Sequence, residues 1–279
     1  MRFEKWQALG NDYLIVERDE LPWELTPKRI RRICDPHFGA GSDGVLLISR
    51  AKDPAYVAEL VIFNPDGSEA ELSGNGALEA ALYLRRAGWT ERDEFTILTK
   101  AGEVRPTITG PDSATLAMGR AALASRDFPS GGGDGIGTVR AGGREWRFQH
   151  VSIGNPQCVI DAGEEIDRLD LGAVGPEIEH SELFPNRTNV SFVRFDGQTV
   201  RARIFERGVG ETLSSGTGAS GAAVAAFVLG TRSPITVRLD GGELMVEVSP
   251  DLDVRLTGTA SPVFAGELSP ELVRDLERV

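Results

Sequence analysis

The feature that most constrains the fold of this chain is an internal repeat. Residues 62–81 align without a gap on residues 204–223, at an offset of 142 residues. Both segments contain the pattern Ser-Gly-x-Gly-Ala, led by Ser73 in the first copy and by Ser215 in the second. An ungapped match of this length predicts a duplication, with two similar halves related by a pseudo-twofold axis.

Each copy reads as a strand, a short acidic loop, a serine and then a glycine-rich helix start. Glycine allows a ligand to approach the backbone N–H groups closely. The N-terminus of a helix has unpaired N–H donors and a partial positive charge, and therefore holds a carboxylate or a phosphate well. Two facing starts would place Ser73 and Ser215 on opposite faces of the bound group, which is what proton removal and return at an inverted carbon require.

Short β-like runs separated by glycine dominate the rest of the chain, and helical segments are few. The first predicted helix follows Thr26 as N-cap, with Pro27 in its first turn. One small-residue helix per half, starting after Ser73 and after Ser215, would allow a sheet to close tightly around it. We therefore predict an α+β fold in which each half is a curved, mostly antiparallel sheet around a central helix.

The length of 279 residues is sufficient for two domains of ordinary size. The predicted N-terminal domain comprises residues 1–118 and the returning segment 264–279, and the predicted C-terminal domain comprises residues 119–263. The active site is expected in the cleft between them. The glycine-rich stretch 127–137 is predicted to be a flexible surface turn or linker.

Composition excludes several classes of function. The formal net charge is −12, and an acidic chain repels phosphate backbones and anionic lipid, so neither nucleic acid nor membrane is expected as a partner. The sequence contains no bilayer-length apolar run and no signal-peptide core, which favours a cytoplasmic protein. Cys34 and Cys158 are expected to be buried thiols. Three scattered histidines without ligand spacing predict no metal site.

Several sequence blocks occur in an order that is highly specific. They are KWQALGNDYLIVE, ICDPHFGAGSDGVLL, FNPDGSEAELSGNG, GNPQCV, FPNRTNVSFV, ERGVGETLSSGTGASGAA and VFAGEL. Over nearly its whole length the chain resembles the diaminopimelate epimerase family of lysine and cell-wall biosynthesis. The resemblance implies a small amino-acid substrate, conversion between the LL and meso forms by two-base proton transfer, no cofactor, and a homodimer.

The resemblance also implies a set of substrate-binding residues. Glu206 and Arg207 would hold the amino-acid group at the far end of the substrate, for which an ammonium–carboxylate pair and an arginine–carboxylate fork are chemically suited. The complete set that the family pattern implies is Asn11, Asn64, Gly74, Asn75, Asn155, Asn189, Glu206, Arg207, Gly216 and Thr217.

The family places cysteines, its acid/base residues, at the positions of Ser73 and Ser215. A thiol titrates near 8.5, and a helix N-terminus lowers this value further, whereas a serine hydroxyl is a far weaker acid. Each lost pKa unit costs about 1.4 kcal/mol in forming the anion. Gln157 also stands where the family has a histidine thought to assist a cysteine.

Three explanations of the serine pair are open. The chain is an inactivated double mutant, an epimerase or racemase in which serines transfer the protons, or a member that binds an amino acid without catalysis. Asp66, Glu71 and Glu79 are nearby carboxylates that could assist a serine, although most such groups are solvated or capping. A serine hydrolase is disfavoured because the sequence has no G-x-S-x-G motif.

Overall fold

The chain packs as two compact units. The computed structural model describes residues 1–70 and 73–279. Unit 1 comprises Met1–Leu116 and Gly258–Val279, and unit 2 comprises Ala117–Thr257. The chain passes from unit 1 to unit 2 within strand β9 (Ser113–Arg120) and returns within strand β18 (Asp253–Thr259).

Unit 1 is built on a mixed sheet with strand order β19-β1-β2-β3-β4-β6-β7, and β5 pairs with β4 beside this path. Parallel pairs are β2 with β3 and β4 with β6, and the other neighbours within this sheet are antiparallel. Its elements are β1 (Arg2–Ala8), β2 (Asn11–Glu17), a 3₁₀ turn (Arg18–Glu20), α1 (Pro27–Cys34), β3 (Val45–Ser49), β4 (Ala58–Phe63), β5 (Glu69–Ala70), α2 (Gly74–Arg86), β6 (Ile97–Thr99), β7 (Gly102–Val104), β8 (Pro106–Ile108), β19 (Ser261–Glu267) and α5 (Pro270–Glu277).

Unit 2 is built on strands in the order β10-β11-β12-β13-β14-β16-β17-β18, with β15 paired to β14. The parallel pairs are β12 with β13 and β14 with β16. Its elements are β10 (Ile136–Ala141), β11 (Arg144–Ser152), β12 (Pro156–Asp161), a 3₁₀ turn (Gly163–Arg168), α3 (Leu171–Glu179), β13 (Asn189–Asp196), β14 (Thr199–Glu206), β15 (Gly210–Thr212), α4 (Gly216–Val228), β16 (Ile235–Leu239) and β17 (Gly242–Val248).

The two units share one topology. Strands β19, β1, β2, β3, β4, β6 and β7 of unit 1 correspond in order and direction to β10, β11, β12, β13, β14, β16 and β17 of unit 2. In both units a short strand (β5 or β15), which pairs antiparallel with β4 or β14, precedes the glycine-started helix. This correspondence extends the repeat beyond residues 62–81 and 204–223, and the mixture of helices and sheets confirms the predicted α+β class.

Helices α2 and α4 are buried along most of their length. In α2 the residues from Asn75 to Leu84 are buried, and α4 is buried from Gly218 to Ala226. Alanine and glycine dominate α4, so the sheet approaches it closely; a Cβ atom at Gly221 would lie 2.8 Å from Cγ of Gln157. Within the described residues, no helix is long and apolar enough to cross a membrane.

The other face of the unit 2 sheet carries an aromatic core. Phe128, Phe148 and Phe184 contact one another, with ring centroids 5.1–5.8 Å apart. Because Phe128 is buried in this cluster, the stretch 127–137 is anchored to unit 2. The stretch forms turns and is mostly exposed, which agrees with the predicted surface turn and not with a linker between the two units.

Candidate active site

Ser73 and Ser215 occupy the same position in the two units, as the N-caps of α2 and α4. Ser73 Oγ accepts a hydrogen bond from the Gly76 N–H at 3.1 Å, and Ser215 Oγ accepts one from the Gly218 N–H at 3.2 Å. Gly74 and Gly216 are the first helical residues. Each serine oxygen therefore lies at the positive end of a helix dipole, where negative charge is stabilised.

The second residue of each helix contacts the asparagine that precedes or begins the neighbouring strand. Asn75 Nδ2 donates to Asn11 Oδ1 at 3.3 Å, and Asn155 Nδ2 donates to Thr217 Oγ1 at 3.2 Å. All four belong to the set that the family pattern implies. The structure therefore assembles the same polar corner in both units.

Ser215 has a carboxyl group beside it. The Glu206 side chain accepts a hydrogen bond from Thr212 Oγ1 at 2.9 Å, and Ser215 lies close enough to lower its pKa. Burial raises the pKa of Glu206, and Thr212 and Ser215 act in the opposite direction. A carboxyl group in this position can exchange a proton with the Ser215 hydroxyl.

Asn189 and Arg207 are joined, since the Arg207 backbone N–H donates to Asn189 Oδ1 at 2.8 Å. Asn189 Nδ2 also donates to the Pro156 carbonyl at 3.3 Å, so its side chain is fixed at both ends. The Arg207 guanidinium donates to the Asn186 carbonyl at 2.9 Å. Across residues 1–70 and 73–279 no carboxylate forms an ion pair with Arg207.

Asn64 forms its side-chain hydrogen bond outside the predicted set of substrate-binding residues. Its Nδ2 atom donates to Ser68 Oγ at 3.0 Å, and Asp66 accepts from the Ser68 N–H at 2.8 Å. Asp66 is thus a turn-capping group, as most of the nearby carboxylates were expected to be. Glu71 lies outside the described residues.

Glu79 differs from this expectation because it is neither solvated nor capping. Its side chain is 0% exposed. Among the described residues, no group forms a hydrogen bond of acceptable geometry with either carboxyl oxygen. Burial raises the pKa of Glu79 well above its usual value, the charges of Asp12 and Asp43 raise it further, and the Tyr13 backbone acts in the opposite direction. The helix position alone gave no sign of this burial.

Gln157 is fully buried beside the unit 2 corner. Its Nε2 atom donates to Asn155 Oδ1 at 2.7 Å. Gln157 therefore orients Asn155 and through it Thr217. An amide in this place does not titrate, so it orients its neighbours without exchanging a proton with them.

Two contacts were missed by sequence reasoning, namely Glu206 with Ser215 and Tyr13 with Ser73. The Tyr13 hydroxyl donates to Ser73 Oγ at 3.2 Å. The repeat alignment contained one signal for the role of Glu206, because this residue aligns with Asn64 in the first copy. A carboxylate that replaces an amide between duplicated sites indicates a function specific to one copy.

No cluster of three or more histidine, cysteine, aspartate or glutamate side chains suited to a metal ion occurs in the part of the chain that the structure describes. The polar groups around the two serines are chiefly amides, hydroxyls and backbone N–H groups. Such groups recognise the ammonium and carboxylate of an amino acid through hydrogen bonds.

Comparison with known proteins identifies the family of this chain. The diaminopimelate epimerase family model matches residues 3–124 and 149–263. The chain belongs to the diaminopimelate epimerase family. It is 40% identical to diaminopimelate epimerase 2 of Nostoc sp., over 98% of this chain and 97% of that protein. It is 37% identical to the diaminopimelate epimerase of Moorella thermoacetica, over 96% of this chain and 99% of that protein. These matches confirm the resemblance.

Solved structures of low sequence identity share the fold. A probable proline racemase from Agrobacterium radiobacter superposes with a TM-score of 0.70 at 17% identity, covering 98% of this chain and 95% of that chain. A hydroxyproline epimerase from Agrobacterium vitis superposes with a TM-score of 0.67 at 18% identity, covering 98% and 94%. At this level of identity the likeness concerns architecture alone.

Proposed function

We propose that this protein epimerises diaminopimelate at an α-carbon without a cofactor, interconverting the LL and meso forms. The observation that carries the proposal is the pair of serine-capped helix starts, duplicated with their asparagine partners in a chain of this family. Ser73 and Ser215 act on opposite faces of one α-carbon. The helix N–H groups stabilise the charge that develops on the neighbouring carboxylate.

In one direction, Ser215 removes the α-proton. The α-proton passes to Ser215 Oγ while the Ser215 hydroxyl proton passes to the Glu206 carboxylate, so serine remains neutral and Glu206 becomes a carboxylic acid. The contact between Ser215 and Glu206 supports this path. The carbanion then takes the hydroxyl proton of Ser73 from the other face, so the new C–H bond forms as the Ser73 O–H bond breaks, and the reverse reaction uses the same groups in the opposite order.

The remaining polar residues bind the substrate. Arg207, whose guanidinium has no carboxylate partner within the described ranges, pairs with the distal carboxylate through a fork of hydrogen bonds. In this proposal Glu206 is the proton acceptor for Ser215 and not the partner of the distal ammonium that the family pattern implies. Asn11, Asn75 and Asn155 bind the reacting amino-acid group, together with the less connected Asn64, with Asn189 and with Gly74, Gly216 and Thr217.

The same proposal includes a cytoplasmic homodimer. Cys34 and Cys158 are free, buried thiols, which suits a reducing compartment. Strand β19 is at the end of the unit 1 sheet order and exposes Val263 and Phe264, at 54% and 46%. An edge strand with exposed apolar side chains is suited to a second copy of the chain.

The test is exchange of the α-proton. The protein is incubated with LL-diaminopimelate in D₂O, the α-proton signal is followed by NMR, and formation of the meso form is measured by chiral chromatography. We expect both loss of the signal and formation of product, abolished by Ser73→Ala and by Ser215→Ala. Ser269→Ala is the matched control, since Ser269 caps α5 through the Leu272 N–H at 3.2 Å.

Two outcomes separate the explanations of the serine pair. Replacing both serines by cysteine should raise the epimerisation rate, because a thiol is much the stronger acid. Saturable binding of diaminopimelate without exchange, in both the natural protein and the double-cysteine variant, would refute epimerisation and make the protein a non-catalytic binder.

A further inference from the structure

The Ser73 oxygen receives two hydrogen bonds from within unit 1. The Tyr13 hydroxyl donates at 3.2 Å and the Gly76 N–H donates at 3.1 Å. With both donors directed at the oxygen, the hydroxyl proton of Ser73 remains available to another acceptor. Tyr13 is 5% exposed, and its phenol is therefore directed at Ser73 from a buried position.

Sheet register shows that unit 2 has no such phenol. Leu14 pairs with Val45 in unit 1, and Cys158 pairs with Val190 at the corresponding place in unit 2. Tyr13 precedes Leu14, and Gln157 precedes Cys158. The counterpart of Tyr13 in unit 2 is therefore Gln157.

The space for the Tyr13 ring is also specific to unit 1. A Cβ atom at Gly44 would lie 2.6 Å from Cε1 of Tyr13. The corresponding position in unit 2 is Asn189, which pairs with Gln157. Glycine at position 44 thus makes room for an aromatic ring that unit 2 neither has nor accommodates.

The two serines consequently have different ionisable neighbours. Ser73 is bonded to the phenol of Tyr13, which comes from strand β2. Ser215 lies beside the carboxyl group of Glu206, which comes from strand β14, and the counterpart of Glu206 in unit 1 is the amide Asn64. Within residues 1–70 and 73–279, each serine therefore has an acidic side chain beside it, supplied by a different strand in each copy.

We propose that Tyr13 supplies the acidity that Ser73 lacks, by a proton relay from the phenol through the serine hydroxyl to the substrate carbanion. The inference rests on the proposed function. The Ser73 O–H bond breaks as the new C–H bond forms, and the Tyr13 proton moves to Ser73 Oγ in the same step. The carbanion becomes a C–H group, serine remains neutral, and the negative charge resides on the Tyr13 phenolate.

The relay compensates for the low acidity of the serine hydroxyl. A phenol titrates near 10, which is about 1.5 units above a thiol, whereas an alcohol is far weaker than either. With the relay, the negative charge is carried by a phenolate and not by a far more basic alkoxide. Tyr13 acts through Ser73 and need not touch the substrate.

The first experiment compares Tyr13→Phe in the natural protein and in the Ser73→Cys variant. We expect kcat for diaminopimelate to fall about 100-fold in the natural background with KM little changed. In the Ser73→Cys background the loss should be under about threefold, since a thiol needs no relay. Tyr83→Phe is the matched control, because the Tyr83 hydroxyl donates to Glu17 Oε1 at 2.7 Å and its neighbour is not a serine. Equal losses in both backgrounds would overturn the relay.

The second experiment does not depend on activity. The pKa of the thiol introduced by Ser73→Cys is measured from its rate of alkylation by iodoacetamide against pH, with and without Tyr13→Phe. The natural thiols, Cys34 and Cys158, provide a low background because they are buried and burial raises their pKa values.

Loss of the phenol should raise the pKa of the introduced thiol by about one unit, the usual effect of one hydrogen bond to a charged group. An unchanged pKa would refute the contact between the phenol and position 73. If the natural protein neither epimerises nor exchanges while the pKa still rises, the proposed function fails and the coupling of Tyr13 to position 73 stands.

Discussion

Replacing Glu79 by glutamine should stabilise the protein, increasingly so as the pH rises. Glu79 lies in the middle of α2, is 0% exposed, and has no hydrogen-bond partner for its carboxyl oxygens among the residues described. Asp12 and Asp43 add unfavourable negative charge. Glu79→Gln keeps the shape of the side chain and removes its ability to ionise.

The sign follows from proton binding. Burial raises the pKa of Glu79 well above its usual value in the folded protein, whereas the unfolded chain titrates at about 4.3. Between those two values the folded state binds more protons, so the free energy of unfolding falls with pH by up to about 1.4 kcal/mol per pH unit. The Glu79→Gln variant does not lose stability in this way, because glutamine does not ionise. Below both values the difference should be small, because the acid and the amide are equally short of partners.

The assay is urea unfolding of both proteins at intervals from about pH 5 to about pH 8, read by tryptophan fluorescence. The stability advantage of Glu79→Gln should grow with pH until the folded-state pKa is passed. Glu91→Gln, at an exposed position in the same unit, is the matched control and should show no comparable growth. An advantage that does not change with pH, or a variant less stable than the natural protein near neutrality, would refute the assignment of Glu79 as a buried, unpaired carboxyl group.

Three further changes test other parts of the structure. Gly218→Ala should lower stability by about 1–3 kcal/mol in urea unfolding and reduce kcat, because the new Cβ atom would lie 2.6 Å from Cδ1 of Ile204 and 3.2 Å from Ser215 Oγ; unchanged values would show that the site has room to relax. Glu206→Gln should lower kcat about 100-fold and remove the rise of kcat with pH, since a carboxyl group whose pKa is raised by burial must lose its proton before it can accept one; a persisting rise would assign that titration to another group. Phe264→Glu should convert a dimer into monomers in sedimentation velocity, and an unchanged sedimentation coefficient would place the interface elsewhere or exclude a dimer.

The sequence by itself determined the features that depend on a few neighbouring residues. Ser73 and Ser215 cap helices because a hydroxyl three residues before a glycine N–H reaches it through local geometry. Thr26 caps α1 for the same reason. The duplication could also be predicted from the sequence, because an ungapped repeat is recognised without knowledge of tertiary contacts. The family followed from sequence blocks that keep their order along the chain.

Only the tertiary structure decided which side chains meet the two serines. Tyr13 reaches Ser73 across sixty residues of chain, and this contact depends on the register of β2 and on the space left by Gly44. The burial of Glu79 depends likewise on how the sheet packs around α2, whereas a sequence pattern reports only the periodicity of the helix itself. Contacts between distant elements are set by sheet register and helix docking, and duplicated segments with the same local pattern therefore acquired different proton-carrying partners.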